Sequence, residues 1–251
     1  ALRLLRPRFL MADGVGLGKT VEVGVLLTEL IRRGRGRRIL VVAMKSILAQ
    51  FQEELWGRFT IPLVRLDSVG IQRVQSKGPS SMNPFHYFDR AIISIDTLKN
   101  DVKYRQHLEN CRWDVIVVDE CQNVAMRTKG GRGQSSQRAQ LAKLLATQCD
   151  SLILTSATPH DGSPESFASL IRLLEPTAIA DETEFDQDEV SEYFQRKFKK
   201  DVAHQVAEAF PEREMVMKRL PASPEENAYF DRVQSAEFKA IGSGRGTGAS
   251  L

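Results

Sequence analysis

Six short runs of branched apolar residues, spaced along the first two thirds of the chain, constrain its fold more than any other feature. They are Arg8–Ala12, Arg38–Ala43, Leu63–Leu66, Ala91–Ile95, Val115–Val118 and Leu152–Leu154. Their apolarity is nearly continuous rather than alternating, as strands require when both faces of a parallel sheet are covered. Helical patterns separate them. Lys19–Arg33 places Val23, Leu26, Leu27, Leu30 and Ile31 on one stripe, and Ser46–Phe59 and Ser136–Thr147 behave alike. Strand–helix alternation implies right-handed crossovers and an α/β doubly wound domain. The longest apolar run is the six residues Ile39–Met44. A membrane-spanning helix needs about 20, so the chain is expected to have no membrane partner. No apolar stretch at the N-terminus suggests a leader. Three cysteines, none in a C-x-x-C pair, argue against a disulfide framework or a cysteine metal site and point to a cytoplasmic protein.

The charge is uneven. Residues 1–180 carry 25 Lys+Arg against 17 Asp+Glu, and residues 181–251 carry 10 against 15. A basic body with an acidic appendage suits a polyanionic partner for the body. The sequence divides accordingly into an α/β lobe over 1–180, a helical closing segment over 181–241 and a disordered tail over 242–251. Gly34-Arg35-Gly36 reads as a turn and Thr128–Gly133 as a flexible loop. Asp181–Glu192 holds seven acids in twelve positions. A helical stretch ending in Arg196–Lys200, an extended Met215–Leu220 and a helix over Pro224–Ile241 follow.

Three segments carry chemistry. Gly16-Leu17-Gly18-Lys19-Thr20 lies between a short apolar strand and an amphipathic helix, the context of a phosphate-binding loop. Backbone N–H groups at a helix N-terminus surround phosphate oxygens. Lys19 can reach the β- and γ-phosphates, and the Thr20 hydroxyl can ligate Mg²⁺. Asp13 stands where the full G-x-x-x-x-G-K-T pattern has its first glycine. In the second segment, Asp119 and Glu120 end the apolar strand Val115–Val118. Ligands of open α/β sheets lie at the carboxyl ends of strands. Asp119 is therefore a candidate magnesium ligand and Glu120 a candidate base for the attacking water. The third is Leu152–Pro159, where a buried strand runs into the hydroxylated turn Thr155-Ser156-Ala157-Thr158. It can bond to the neighbouring acidic strand end.

In this order and spacing the three segments resemble motifs I, II and III of the superfamily 2 helicases and translocases. The finer resemblance is to the Swi/Snf-like branch, whose motif I reads D-E-x-G-L-G-K-T. Asp13-Gly14-Val15-Gly16-Leu17-Gly18-Lys19-Thr20 departs from it at Gly14 alone. Within the branch, Ser156–Gly162 makes the chain most similar to bacterial RNA-polymerase-recycling and phage-defence ATPases. Ile39–Leu48 with Gln50-Phe51 resembles motif Ia, and Ile93–Leu98 the motif Ib region. Gln195–Val202 resembles the basic segment that closes the first lobe, and Pro211–Leu220 the strand leading toward a second.

The resemblance implies the N-terminal RecA-like lobe of a DNA-dependent ATPase that hydrolyses ATP while moving along duplex DNA. It implies ATP and Mg²⁺ as cofactors, and Asp13 through Thr20 as the nucleotide loop. Lys19, Asp119, Glu120 and Gln122 would form the catalytic set, with Thr20 and Asp119 on the metal. Ser156, Ala157 and Thr158 would couple nucleotide state to lobe closure. Lys45, Ser46 and Thr97 would touch the DNA backbone, whereas the five arginines within residues 32–38 read as a solvated turn. A second RecA-like lobe and a protein complex are the further partners it implies.

Departures qualify the resemblance. Gly14 replaces a glutamate, Met44 a proline, Gln122 a titratable histidine and Lys197 an arginine. Cys121 reads as a packing residue. The family's upstream adenine-reading segment and the arginines of its second lobe have no counterpart in residues 1–251. An arginine finger is worth roughly 10³- to 10⁵-fold. The isolated lobe is therefore expected to bind ATP–Mg weakly and to hydrolyse it slowly or not at all. Two other readings of the residues are a non-hydrolysing nucleotide- or DNA-binding scaffold and another P-loop enzyme, such as a small-molecule kinase or a switch GTPase.

Overall fold

The computed structural model describes residues 6–79, 82–99, 102–129, 132–134, 136–159, 163–198, 201, 216, 218 and 220–235. The chain divides into two compact units, residues 1–206 and 207–251. In the first unit the strands are β1 (Arg8–Met11), β2 (Ile39–Ala43), β3 (Val64–Arg65), β4 (Arg90–Ser94), β5 (Trp113–Val118), β6 (Arg127–Lys129), β7 (Arg132–Gln134), β8 (Cys149–Thr155) and β9 (Phe194–Gln195). The helices are α1 (Lys19–Arg32), α2 (Leu48–Phe59), α3 (Ser68–Lys77), α4 (Ile95–Lys99), α5 (Val102–Glu109), α6 (Gln137–Thr147), α7 (Pro164–Leu174) and α8 (Gln187–Val190).

Seven strands form one sheet in the order β3-β4-β2-β5-β8-β1-β9, with every pairing parallel. Continuous apolarity in the strands has the expected cause, because successive residues feed opposite cores. Phe9, Met11, Val41, Val115, Val117 and Ile153 join α1 and α2 on one face. Leu10, Leu40, Val42, Ile116, Val118, Leu152 and Leu154 join α3 to α7 on the other. The chain is thus a RecA-like α/β lobe, as the motifs led one to expect. Ser136 caps α6 and Ser163 caps α7 from their N-terminal sides. Gly34, at φ 72°, ends α1 as the Gly-Arg-Gly turn predicts.

Two sequence expectations are corrected. Residues around Thr128–Gly133 are not an open loop, because Arg127–Lys129 and Arg132–Gln134 pair as an antiparallel ribbon. The helical stretch before Arg196 is only the four-residue α8, followed by β9 beside β1. The helix expected over Pro224–Ile241 is described as α9 (Pro224–Ser235) in the second unit, its remainder lying outside the described residues. Ser223 and Glu226 exchange side-chain and backbone bonds across its first turn, a capping box. His160–Gly162, Lys199–Lys200, Val202, Pro211–Met215 and the 242–251 tail also lie outside the described residues.

Candidate nucleotide site

The phosphate loop leaves the carboxyl end of β1. Asp13 is buried, whereas Val15 is 72% exposed and Gly16 and Gly18 line the open side. Gly16 (φ 82°) and Gly18 (φ 84°) adopt left-handed backbone, which costs a side-chain-bearing residue roughly 1–2 kcal/mol. Gly18 is the N-cap of α1 and makes no side-chain cap bond, as no glycine can. The N–H groups of the first turn therefore rely on backbone turns or on an anion. Lys19 and Thr20 open the helix. The Lys19 ammonium donates to the Asp13 carbonyl at 3.0 Å, folded back across its own loop. Gly14 has no positive φ, and a Cβ there would meet only ordinary contacts with Leu17 Cδ1 at 3.6 Å and Lys197 O at 3.8 Å.

Two strands away, separated from β1 by β8, β5 delivers Asp119 and Glu120 to the same sheet edge. Burial pushes the Asp119 carboxyl above its ordinary value of 3.8. A hydrogen bond from the Thr155 hydroxyl to Oδ1 and, more weakly, the Lys19 charge draw it back. Lys19 thus lies within electrostatic reach of Asp119. Glu120 adopts φ 50°, ψ 50°, a left-handed conformation uncommon for a non-glycine residue and recurrent at functional turns. Its Oε2 accepts from Gln122 Nε2 at 2.6 Å, and Gln122 Oε1 accepts from Ser156 Oγ at 2.6 Å. Ser156 Oγ in turn accepts from the Thr158 N–H at 3.0 Å. One hydrogen-bonded chain therefore runs Thr158–Ser156–Gln122–Glu120, from the turn after β8 to the acid after β5. Ala157 supplies backbone to that turn. Thr155, the first hydroxyl of the turn expected to bond to the neighbouring acidic strand end, is buried and donates to Asp119 Oδ1.

Among the described residues no three His, Cys, Asp or Glu side chains gather as a metal cage. The Thr20 hydroxyl and Asp119 carboxylate are hard oxygen donors. That set suits Mg²⁺, which is held by one or two protein groups together with water and phosphate. Cys121 is a buried packing residue, as expected, and burial holds its thiol well above its ordinary value. Cys111, Cys121 and Cys149 are all free thiols.

Lys45 and Ser46 are exposed in a 3₁₀ turn (Lys45–Ile47) at the carboxyl end of β2. Neither caps α2, whose N-cap residue Ile47 makes no side-chain bond. Thr97 lies in α4, which follows β4, the neighbour of β2. The three therefore share the carboxyl edge of the sheet with the phosphate loop and Asp119, displaced toward the β3 side. No helix among the described residues is long and apolar enough to cross a membrane.

A parallel RecA-like sheet with a glycine-rich loop after one strand and an acidic pair two strands away defines an ATP-binding lobe of the helicase superfamily. The chain belongs to the SNF2-related domain family, whose model matches residues 7–249. It is an SNF2-family ATPase domain, the N-terminal lobe of the Swi/Snf-like branch. The RNA polymerase-associated protein RapA of Proteus mirabilis (strain HI4320) is 33% identical over 179 residues, 71% of this chain and 18% of that protein. RapA of Sodalis glossinidius (strain morsitans) is 32% identical over 175 residues, 70% of this chain and 17% of that protein. The chain thus spans 17–18% of the length of these relatives. The Sulfolobus solfataricus SWI2/SNF2 ATPase core domain superposes with a TM-score of 0.60 at 19% identity, covering 93% of this chain and 49% of that one. The same core in complex with dsDNA gives 0.57 at 19% identity, covering 92% and 50%. At that identity the likeness is one of fold.

Proposed function

We propose that this lobe binds ATP with Mg²⁺ and, joined to a second RecA-like lobe, hydrolyses it to translocate along duplex DNA. The observation that carries the reading is the hydrogen-bonded chain from Thr158 through Ser156 and Gln122 to Glu120, converging on the sheet edge that bears Lys19 and Asp119. Lys19 leaves the Asp13 carbonyl to meet the β- and γ-phosphates, with the loop from Asp13 to Thr20 cradling them. Thr20 and Asp119 would hold a magnesium ion, which when bound would neutralise phosphate charge. Glu120, oriented by Gln122, positions and deprotonates water. Ser156 and Thr158 transmit the state of that acid to the turn after β8, while Lys45, Ser46 and Thr97 contact DNA phosphates. The isolated lobe lacks a partner for transition-state charge and turns over slowly. RapA is an RNA polymerase-associated protein, which makes a transcription complex the protein partner to test first.

The deciding measurement is binding of a fluorescent ATP analogue with Mg²⁺ to the 251-residue chain, beside Lys19→Ala and Glu120→Gln. Lys19→Ala should weaken binding by about tenfold or more, an estimate from the loss of one phosphate-facing charge. Glu120→Gln should keep affinity. Once the chain is joined to a second lobe, Glu120→Gln should lower DNA-stimulated hydrolysis by about 10²- to 10⁴-fold. Unchanged binding by Lys19→Ala would remove the site. Stimulation by RNA and not by duplex DNA would remove the proposed track, and preference for GTP would point to a different P-loop class.

A further inference from the structure

The short strand β9 runs parallel to β1 and stays beside it as β1 becomes the phosphate loop. Leu10 pairs with Phe194 and Met11 with Gln195. The Ala12 N–H then donates to the Gln195 carbonyl at 2.8 Å, and the Gly14 N–H to the Lys197 carbonyl at 3.0 Å. The Lys197 N–H returns to Asp13 Oδ1 at 2.8 Å. These bonds use the backbone of residues 195–197 and would form whatever side chain stood at 197. The Lys197 side chain does something separate. Its ammonium donates to Glu22 Oε1 at 2.9 Å and stands 3.9 Å from Asp13 Oδ2.

Both acids are badly placed for an anion-binding loop. Glu22 lies in the first turn of α1, where the helix N-terminus would attract phosphate. Asp13 is buried, and its Oδ2 has no hydrogen-bond partner. Burial, then the nearby Glu22 charge, raise the Asp13 carboxyl above its ordinary value, while the hydrogen bond to Glu22 raises that of Lys197. A buried carboxylate is costly unless compensated, and among the described residues the cation within ion-pair distance of Asp13 is Lys197.

We infer that Lys197 is a positioning residue of the nucleotide site: by offsetting the negative charge of the Asp13–Glu22 pair at the base of the phosphate loop, it lets the loop accept a polyphosphate. The inference rests on the reading of Asp13–Thr20 as that loop. It makes the lobe's last described strand part of the nucleotide site through a side chain that touches no nucleotide. Charge is the operative property, so the effect should grow with the charge of the ligand and be reversed by removing a carboxylate.

The test is equilibrium binding of ATP and of ADP, each with Mg²⁺, to the 251-residue chain and its Lys197→Met, Lys197→Arg, Glu22→Gln and Lys197→Met/Glu22→Gln variants, with Lys19→Ala as control. Lys197→Met should weaken ATP by about tenfold, the order expected for one uncompensated charge near a partly desolvated site, and ADP by less. Lys197→Arg should bind as the parent does, and the double variant should recover most of the loss. Glu22→Gln alone should equal or exceed the parent in ATP affinity, a result that needs no change at Lys197. ATP affinity unchanged in Lys197→Met while Lys19→Ala loses it overturns the inference and leaves the loop intact. Equal losses of ATP and ADP with no recovery in the double variant also overturn it, because they mean that Lys197 only holds the fold. Normal binding by Lys19→Ala overturns instead the reading of the loop beneath it.

Discussion

Thr155 shows what one residue adds when its partner is distant in sequence. The turn Ser156-Ala157-Thr158 is conspicuous because its hydroxyls follow an apolar strand. Thr155 is the last residue of that strand, and although the turn as a whole is expected to face the acidic strand end, nothing local says which hydroxyl meets which acid. Only the adjacency of β5 and β8 reveals that it donates to Asp119. The left-handed backbone of Glu120 was equally hidden, since side-chain identity does not announce a positive φ at a glutamate. Valine matches threonine in shape and removes the hydroxyl. Thr155→Val should cost about 1.5–3 kcal/mol at neutral pH, the range for a hydrogen bond to a charged group, and Thr155→Ser much less. The pH dependence has a definite sign. Burial, the leading cause, raises the native Asp119 carboxyl above 3.8, so the native state holds that proton more tightly than the unfolded state. The contribution of Asp119 to stability is therefore greatest below 3.8. It falls as pH rises through the shifted value, then stays level. Thr155→Val removes a bond to the ionised form, so this falling region should extend to higher pH and the gap from the parent should narrow on acidification. Denaturant unfolding between pH 3 and 7 reads both trends, and a gap independent of pH would remove the carboxylate from the explanation.

At the scale of elements, long apolar runs were legible and brief ones were not. β2 and β5 are legible because each strand feeds both cores. β9 is two residues long, amid charge, and exists because β1 offers it an open edge. β6 and β7 pair across a Gly-Gly that composition alone reads as a loop. Packing between helices is equally context-bound. Gly24, inside α1, looks like a helix-weakening residue that alanine would improve by about 1 kcal/mol. A Cβ there would stand 2.1 Å from Phe59 Cε2, at the end of α2. Gly24 is therefore the notch that admits the Phe59 ring. Gly24→Ala should lower stability by about 1–3 kcal/mol despite its better helix propensity, as overpacking does. Phe59→Leu in the same chain should recover part of that loss by vacating the space. Thermal melts of the single and double variants decide it; a Gly24→Ala chain that melts above the parent would mean that the ring moves aside freely.

Across the first unit, the two edges of the parallel sheet divide the positive charge by purpose. The arginines of residues 32–38 precede β2 and so sit at the amino edge, away from the phosphate loop. They are occupied there. Arg32 and Arg33 both pair with Glu29, and Arg37 with Asp89 at 3.2 Å. Arg38 donates to the Phe85 carbonyl at 2.7 Å, with its guanidinium 4.8 Å from the Trp113 ring centroid. The neighbouring arginines hold Glu29 well below the usual carboxylate range, at about 2. Lys45 stands exposed on the opposite edge, after β2, whose neighbour β4 leads into the helix that carries Thr97. If duplex DNA docks by its phosphates, the carboxyl edge should account for the salt dependence although the amino edge is richer in arginine. Binding of a labelled duplex to the 251-residue chain from 50 to 200 mM salt should give a log–log slope of about −0.9 for each phosphate neutralised. Lys45→Ala should make that slope shallower by about one contact and weaken unrelated duplex sequences alike. Arg37→Ala, which removes an equal charge from the amino edge, should leave the slope as it was. The reverse pattern would move the proposed DNA track to the face opposite the nucleotide and break the physical link by which Asp119, Glu120 and the turn after β8 could sense it.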